Sequence, residues 1–269
     1  MKTITLSANS AHNLLKKYGS PERAKLAQRF FKTGPGQYGE GDVFIGVSVP
    51  IIRKISKLIV SDNSSLNLNA KNIMLNKNKL TNEHVPRFIN FRPTVRSLLH
   101  SKYHENRLLA LLILVEIFKN QNDLNCKKEI YLFYIKNIKQ INNWDLVDTS
   151  AYNLVGNYLL MIKNKSVLFN LIKSTHHWSR RVAIISTLAF IRQGHTKLTF
   201  QLARIALNDK EDLMHKASGW MLREAGKKNP IGLLKFIEAN GLKMPRTMLR
   251  YSIEKMSTSE RKRILNVTK

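Results

Sequence analysis

The repeated amphipathic stripes of this sequence restrict its fold more than any other feature. Apolar residues spaced three and four apart mark four segments, Leu108–Val115, Val147–Tyr158, Val182–Ala189 and Leu213–Met221. This spacing places apolar side chains on one face of an α-helix. The alternation of polar and apolar residues that is typical of strands is almost absent. The sequence therefore predicts an all-α protein.

The stripes also recur at a nearly regular interval. Comparable helix starts fall near Arg107, Asp148, Arg181 and Lys216, at intervals of 41, 33 and 35 residues. Second helices are predicted between them, at Lys128–Ile138, Val167–Lys173 and Thr199–Leu207. A helix pair in every 35–40 residues, roughly, is typical of HEAT and armadillo repeats. We predict an α-solenoid of HEAT-like antiparallel helix pairs in one domain, residues 1–269, with an irregular helical bundle as the alternative.

Local signals place further helices and breaks near the N-terminus. Ser20 followed by Pro21 predicts a helix that continues over Arg23–Phe31, because serine caps helices and proline suits the first helical position. Residues 33–48 are rich in glycine and cannot be helical throughout, and Pro50 opens the next helix. Residues 61–93 begin with an Asn/Lys/Ser-rich stretch and are predicted to form a polar insertion of unknown purpose.

Charge points to a polyanionic partner. The chain has 45 Lys and Arg against 18 Asp and Glu, a formal net charge of +27. Such an excess repels itself unless a polyanion binds, and nucleic acid is the commonest polyanion. A compositional bias toward Lys and Asn is the alternative explanation. We expect nucleic-acid binding, through a basic concave face of the solenoid.

Several classes of protein are excluded or disfavoured. A single cysteine, Cys126, cannot form an internal disulfide. The longest apolar run has eight residues, whereas a membrane-spanning helix needs about 20. The N-terminal residues lack the apolar core of a signal peptide. We expect a cytoplasmic monomer that is not associated with a membrane.

No motif in the sequence indicates a cofactor or metal. Residues 34–39 match the spacing GxGxxG, but a predicted helix precedes them where a dinucleotide site needs a strand. His104 and Glu105 resemble the start of a zincin motif, yet position 108 is leucine. We therefore expect no metal and no cofactor.

Polar and aromatic residues cluster at the starts of the repeat helices. Trp144 and Asp148 are four residues apart, and Lys216 and Trp220 repeat this spacing. Side chains with this spacing lie on one face of a helix. Arg180 and Arg181 occupy the equivalent part of the repeat between them. In a solenoid such positions line one surface. The alternatives are that the tryptophans pack in the core and that Asp148 forms an ion pair with Arg181 or Lys216.

At these residues the chain resembles the AlkD-like, HEAT-repeat DNA alkylation-repair glycosylases. The resemblance rests on five stretches that follow in the same order over nearly the whole chain, and these are YGEGDVFIGVSVPIIRK (residues 38–54), HENRLLALLILVE (104–116), NNWDLVD (142–148), WSRRVAI (178–184) and LNDKEDLMHKASGWMLREAGK (207–227). The resemblance implies a glycosylase that acts on double-stranded DNA with alkylated bases.

Site residues follow from the resemblance by position. It implies that Asp148 is the catalytic carboxylate and that Trp144 and Trp220 form aromatic walls around the deoxyribose of the lesion. Arg181 matches an arginine that contacts the lesion-strand backbone. Further DNA contacts are expected from the adjacent or nearby basic residues Arg180, Lys216, Arg223 and Arg53. A HEAT-repeat module that binds DNA or RNA without catalysis is the alternative function.

Overall fold

The computed structural model describes residues 7–61 and 88–268. These residues form helices and loops and contain no β-strand, apart from an isolated bridge between Val43 and Tyr103. The prediction of an all-α protein is confirmed. The chain divides into two compact units, Met1–Ser150 and Ala151–Lys269. The grouping of both units into one domain stays a prediction.

The first unit is built from helices that we number in chain order. They are α1 (Ala8–Lys16), α2 (Pro21–Phe30), α3 (Val49–Ser61), α4 (Phe88–Leu99), α5 (His104–Asn120), α6 (Leu124–Lys136) and α7 (Trp144–Ala151), whose last residue belongs to the second unit. A short 3-10 segment, Ile138–Gln140, precedes α7.

The start of α2 agrees with its sequence signals. Ser20 is the N-cap, and its hydroxyl accepts a hydrogen bond from the Arg23 amide at 3.4 Å. Pro21 occupies the first helical position, where its missing N–H has no cost. Residues 32–47 contain no helix, and α3 begins one residue before Pro50. These predictions from the sequence are confirmed.

Helix α5 is the centre of the first unit. Every residue from His104 to Val115 is buried, so the helix is enclosed on all sides rather than on one face. Helices α3 and α4 both pack against it, and α1 and α6 make further contacts. Because it is enclosed by its neighbours, the start of α5 can position other segments of this unit.

Part of the predicted insertion lies outside the described residues. Residues 62–87 are not described, and Ser61 is the last residue of α3. Residues 88–93 belong to α4, in which Phe88 and Phe91 are buried. The end of the predicted insertion therefore coincides with a packed helix.

The second unit continues directly from α7. A π-helical segment, Tyr152–Gly156, leads into α8 (Asn157–Met161). The remaining helices are α9 (Ser166–Leu171), α10 (His177–Arg192), α11 (Lys197–Ile205), α12 (Asp212–Lys228), α13 (Pro230–Asn240), α14 (Arg246–Ser252) and α15 (Thr258–Val267). Short 3-10 segments follow α11 and α13.

Neighbouring helices in this unit pack as successive layers. Helix α10 contacts the π-helical segment on one side and α12 on the other, and α12 contacts α14. The approach of α12 to α14 depends on Gly219, because a Cβ atom there would lie 2.5 Å from the carbonyl oxygen of Met248. This arrangement of helix pairs is solenoid-like, as predicted. The basic concave face stays a prediction.

The described residues also bear on the question of membrane insertion. None of their helices is long and apolar enough to cross a bilayer.

Candidate functional site

Helix α7 presents the two residues that the sequence singles out first. Trp144 is its first residue and Asp148 lies one turn later, so both side chains share a face. Both residues are half-buried. Leu146 and Val147, which lie between them in the sequence, are fully buried and anchor the helix in the core. The helix therefore holds an indole and a carboxylate side by side at a partly open position.

An aromatic cluster supports Trp144. Its ring stacks on Phe31 at 5.3 Å between centroids, with an interplanar angle of 19°. Phe30 meets the same indole edge-on at 5.8 Å, and Phe44 in turn stacks on Phe31 at 5.1 Å. Phe30 remains 65% exposed, which makes it the open side of the cluster. Sequence reasoning missed these three phenylalanines, because the contacts join α2 and the following loop to α7.

The environment behind Asp148 is polar and enclosed. Tyr134 is fully buried, and its hydroxyl lies 3.0 Å from Ser150 Oγ. Burial raises the pKa of Tyr134, the hydrogen bond with Ser150 opposes the rise, and the negative charge of Asp148 raises it further. Tyr134 therefore stays neutral beside the carboxylate. Its electrostatic interaction with Asp148 places the two groups in the same part of the unit.

A buried charge cluster lies at the start of α5. His104 has one ring nitrogen 3.1 Å from Asp42 Oδ2 and the other 2.8 Å from Asp145 Oδ2. Asp42 also accepts hydrogen bonds from the Arg107 guanidinium and, at 3.2 Å, from the Asn143 side-chain amide. The cluster thus joins the glycine-rich loop, α5 and the start of α7.

The charges in this cluster change the ionisation of its members. Burial alone would lower the pKa of His104, but the charge and hydrogen bond of Asp145, with the hydrogen bond to Asp42, raise it to about 9. Burial opposes ionisation of Asp42 as well. The hydrogen bond from His104 and the charge of Arg107 nevertheless hold the pKa of Asp42 below its usual value. Both groups are therefore charged at neutral pH.

Glu105 fixes the end of the glycine-rich loop. Its buried carboxylate accepts hydrogen bonds from the backbone amides of Ile45, Gly46 and Val47, at 2.9, 2.7 and 3.2 Å. Gly46 has a φ of +83°, in the left-handed region that favours glycine. His104 and Glu105, which resemble a zincin start in the sequence, thus make structural contacts with the loop.

A cavity of about 290 Å³ lies beside the cluster in the first unit. Its walls are mainly apolar and include Leu26, Phe31, Phe44, Val47 and Ile52, and charged residues of the cluster also line it. Phe31 both lines this cavity and stacks on Trp144.

Arg53 is exposed on α3, which begins at Val49. This helix start follows directly on the loop that Glu105 holds. The exposed guanidinium is available to solvent, as a contact to DNA phosphate requires.

Arg180 and Arg181 lie on α10 and are engaged within the second unit. Arg180 makes a two-pronged ion pair with Asp209 and donates to the carbonyl oxygens of Ser174 and Thr175. Arg181 is 5% exposed and donates to the carbonyl oxygen of Leu213. Both arginines hold neighbouring loops and helix starts in place. Their contact with DNA stays a prediction.

Helix α12 carries the remaining predicted residues on one face. Lys216, Trp220 and Arg223 follow at intervals of four and three residues, and all three are half-buried. Lys216 pairs with Asp212 at 2.8 Å. Arg223 forms ion pairs with Glu224 and Glu254.

The predicted site residues thus form separate groups in the two units. Trp144, Asp148 and Arg53 belong to the first unit. The second unit holds the other five, Arg180, Arg181, Lys216, Trp220 and Arg223. The structure brings Trp144 together with Asp148 on α7, and Lys216 together with Trp220 and Arg223 on α12.

Two comparisons with known proteins agree with each other. A family model described as DNA alkylation repair enzyme matches residues 11–256. A solved structure from Enterococcus faecalis, described as a predicted DNA alkylation repair enzyme, superposes with a TM-score of 0.62. The two chains are 16% identical, and the match covers 89% of this chain and 97% of the other, so it shows a shared fold. No curated protein matches.

Proposed function

Because the chain belongs to the family of DNA alkylation repair enzymes, we propose that it is a monofunctional DNA glycosylase for cationic alkylated purines. Membership supports a role in DNA repair, with DNA as the substrate. The proposal is more specific. The enzyme hydrolyses the N-glycosidic bond of 7-alkylguanine and 3-alkyladenine in duplex DNA, as the first step of base excision repair.

The pairing of Asp148 with Trp144 on α7 is the observation that carries this proposal. In a chain with a net charge of +27, a half-buried carboxylate beside an indole is suited to a cationic centre within a DNA complex. A carboxylate attracts positive charge directly, and an aromatic face attracts it through its quadrupole.

The chemistry of the substrate explains why one carboxylate is enough. A 7-alkylguanine or 3-alkyladenine carries a formal positive charge and therefore leaves as a neutral base without a general acid. Glycoside hydrolases, by contrast, typically need two carboxyl groups. As the glycosidic bond lengthens, positive charge develops on the sugar. Asp148 stabilises that charge and orients or deprotonates the attacking water.

Other residues take supporting roles in this proposal. Trp144 and Trp220 each offer an aromatic face to the deoxyribose. Contacts to the DNA backbone are assigned to the five basic residues Arg53, Arg180, Arg181, Lys216 and Arg223. No lysine nucleophile is needed, so we expect base release without strand cleavage.

Asp148→Asn tests the catalytic role directly. We expect the variant to lose release of 7-methylguanine from methylated duplex DNA, because asparagine keeps the shape but removes the charge. Loss of one such electrostatic contact costs about 2.7–4 kcal/mol, or roughly 10²- to 10³-fold in rate. Affinity for the duplex should stay within a few-fold of wild type. Quantifying the released base by chromatography under single-turnover conditions gives the rate.

Glu129→Gln is the matched control, since Glu129 is an exposed carboxylate on α6 in the same unit. It should release base at the wild-type rate. Wild-type release by Asp148→Asn would remove Asp148 from the catalytic role. Tight DNA binding by a wild-type protein that releases no base would instead favour the non-enzymatic binding module.

A further inference from the structure

The hydrogen-bond partners of the two ring nitrogens of His104 indicate that the ring is protonated. Both ring nitrogens face carboxylate oxygens, of Asp42 on one side and Asp145 on the other. A neutral imidazole has one N–H, so one of these contacts would bring two lone pairs together. The imidazolium donates through both nitrogens. The arrangement therefore selects the protonated ring.

Charge balance within the cluster leads to the same result. Asp42 and Asp145 contribute two negative charges, and Arg107 contributes one positive charge. His104 is 2% exposed, so water cannot compensate an unbalanced charge at this position. An unpaired buried charge is costly, and protonation of His104 makes the group neutral overall.

The cluster holds the chain on both sides of Trp144. Asn143 donates from its side-chain amide to Asp42 and accepts from the Trp144 backbone N–H at 2.8 Å. Asp145, on the other side, accepts from His104. The first turn of α7 is thus fixed immediately before and immediately after the indole.

His104 also supports the indole through its ring. It stacks on Phe44 at 4.7 Å and lies 4.9 Å from Phe31, the residue on which Trp144 stacks. Loss of the imidazolium would therefore disturb both the backbone and the ring contacts of Trp144.

We infer that His104, held as an imidazolium between Asp42 and Asp145, is a positioning residue that sets the orientation of Trp144 at the start of α7. Its importance for base release rests on the proposed function. The positioning of Trp144 does not, and can be measured on the free protein.

The groups that face His104 determine where it titrates. They are Asp42 from the glycine-rich loop, Asp145 from α7 and Arg107 from α5. Glu105 and Arg23 line the same cavity, but Glu105 is held by backbone amides and Arg23 donates to the carbonyl oxygens of Gly46 and Tyr18. The pKa of about 9 for His104 reflects mainly the two aspartates acting against burial.

Fluorine NMR on the whole protein tests the positioning. The three tryptophans are replaced by 5-fluorotryptophan, and their resonances are assigned with single Trp→Phe variants. The Trp144 resonance should shift with a midpoint near pH 9, whereas Trp178 and Trp220 should show no transition there. In Asp145→Asn the midpoint should move to lower pH, because the largest contribution that raises the pKa is removed.

His104→Gln gives the functional comparison. Its Trp144 resonance should differ from wild type at pH 7, and its single-turnover rate of 7-methylguanine release should fall about 10- to 100-fold, as expected for a displaced catalytic group. Substrate affinity should change little. His100→Gln is the control, since His100 is exposed at the end of α4 in the same unit, and it should match wild type in both measurements.

The outcomes separate this inference from the proposed function. A wild-type protein that releases no base would overturn the proposed function, while the NMR titration would still test the positioning. A Trp144 resonance without any transition on the alkaline side of 6.5, the ordinary histidine pKa, would overturn the inference, as would wild-type release by a folded His104→Gln. If His104→Gln does not fold, the wild-type and Asp145→Asn titrations decide.

Discussion

Two buried polar side chains of the first unit, those of Glu105 and Asn143, stabilise the site by hydrogen bonds to the backbone. Glu105 satisfies three consecutive amides of the glycine-rich loop, and Asn143 links Asp42 to the first amide of α7. These contacts hold the glycine-rich loop and the start of α7, next to Trp144. We therefore expect substitutions in the cluster to affect both stability and the orientation of the indole.

His104 makes the stability of the protein depend on pH. Its pKa is 6.5 in an unperturbed histidine and about 9 in the folded protein. The folded state therefore binds the proton more tightly, and this stabilisation is complete below about pH 6.5 and is lost as the pH rises to about 9. The free energy of unfolding should fall over this range, by an amount on the order of 3 kcal/mol.

Urea unfolding at a series of pH values from 6 to 10 measures this effect. His104→Gln should lose most of the decrease, whereas His100→Gln should keep it. A wild-type free energy of unfolding that stays constant between about pH 6.5 and pH 9 would contradict the assignment of a buried imidazolium.

The sequence predicted the pairing of Trp144 with Asp148 but not the buried charge cluster that holds Trp144. Trp144 and Asp148 are four apart in the sequence, so their shared face follows from helical periodicity. The contacts of His104 span 62 and 41 residues, to Asp42 and Asp145. No local rule pairs residues at such separations. The only indication in the sequence that these residues belong together is that each of the motifs 38–54, 104–116 and 142–148 contains charged residues.

The sequence predicted where the helices lie, because the apolar periodicity of the repeat helices is strong. The four repeat helices begin at His104, Trp144, His177 and Asp212, each three or four residues before the predicted points. The π-helical segment Tyr152–Gly156 was not predicted, since its apolar spacing resembles that of an α-helix. Such segments often lie near functional sites, and this one begins four residues after Asp148.

The close packing of α12 against α14 determines how a substitution at Gly219 changes stability. Glycine is a poor helix former, so Gly219→Ala would stabilise α12 by about 0.5–1 kcal/mol if propensity alone mattered. The new Cβ atom, however, would lie 2.5 Å from the Met248 carbonyl oxygen and from Tyr251 Cβ in α14. We expect a net loss of about 1–3 kcal/mol, as for other overpacked sites.

Thermal unfolding followed by circular dichroism measures the Gly219→Ala effect. A lower Tm than wild type is the expected outcome. A higher Tm would contradict the close approach of α14 to α12 at Gly219.

For the whole molecule, the excess of basic residues predicts how DNA binding responds to salt. Lys and Arg side chains that neutralise phosphates release counterions, and each contact contributes a slope of about −0.9 to log K against log salt. With six to ten such contacts, affinity should fall by about 10³ to 10⁵ between roughly 50 and 200 mM salt.

Arg53 is exposed on α3, where it can contact one phosphate. Arg53→Ala should therefore make the slope of log K against log salt less steep by about 0.9, the contribution of one contact. Arg204→Ala is the control, as Arg204 is exposed on the second helix of a pair, and it should leave the slope unchanged. Fluorescence anisotropy with a labelled duplex gives both values. An affinity that is nearly independent of salt would contradict the role of charge in binding.

Release of bases from a panel of lesion-bearing duplexes is the most direct test of the proposed glycosylase activity. The proposed mechanism uses one carboxylate and no general acid for the leaving base, so we expect excision of the cationic lesions 7-methylguanine and 3-methyladenine. If the base is not enclosed in a pocket, bulky cationic N7 adducts should be released as well. The enzyme should leave uracil, hypoxanthine and 1,N6-ethenoadenine in place, because these neutral bases need a proton to depart. The proposed mechanism predicts release confined to the cationic lesions. Efficient release of the neutral bases, or none of the cationic ones, would contradict it.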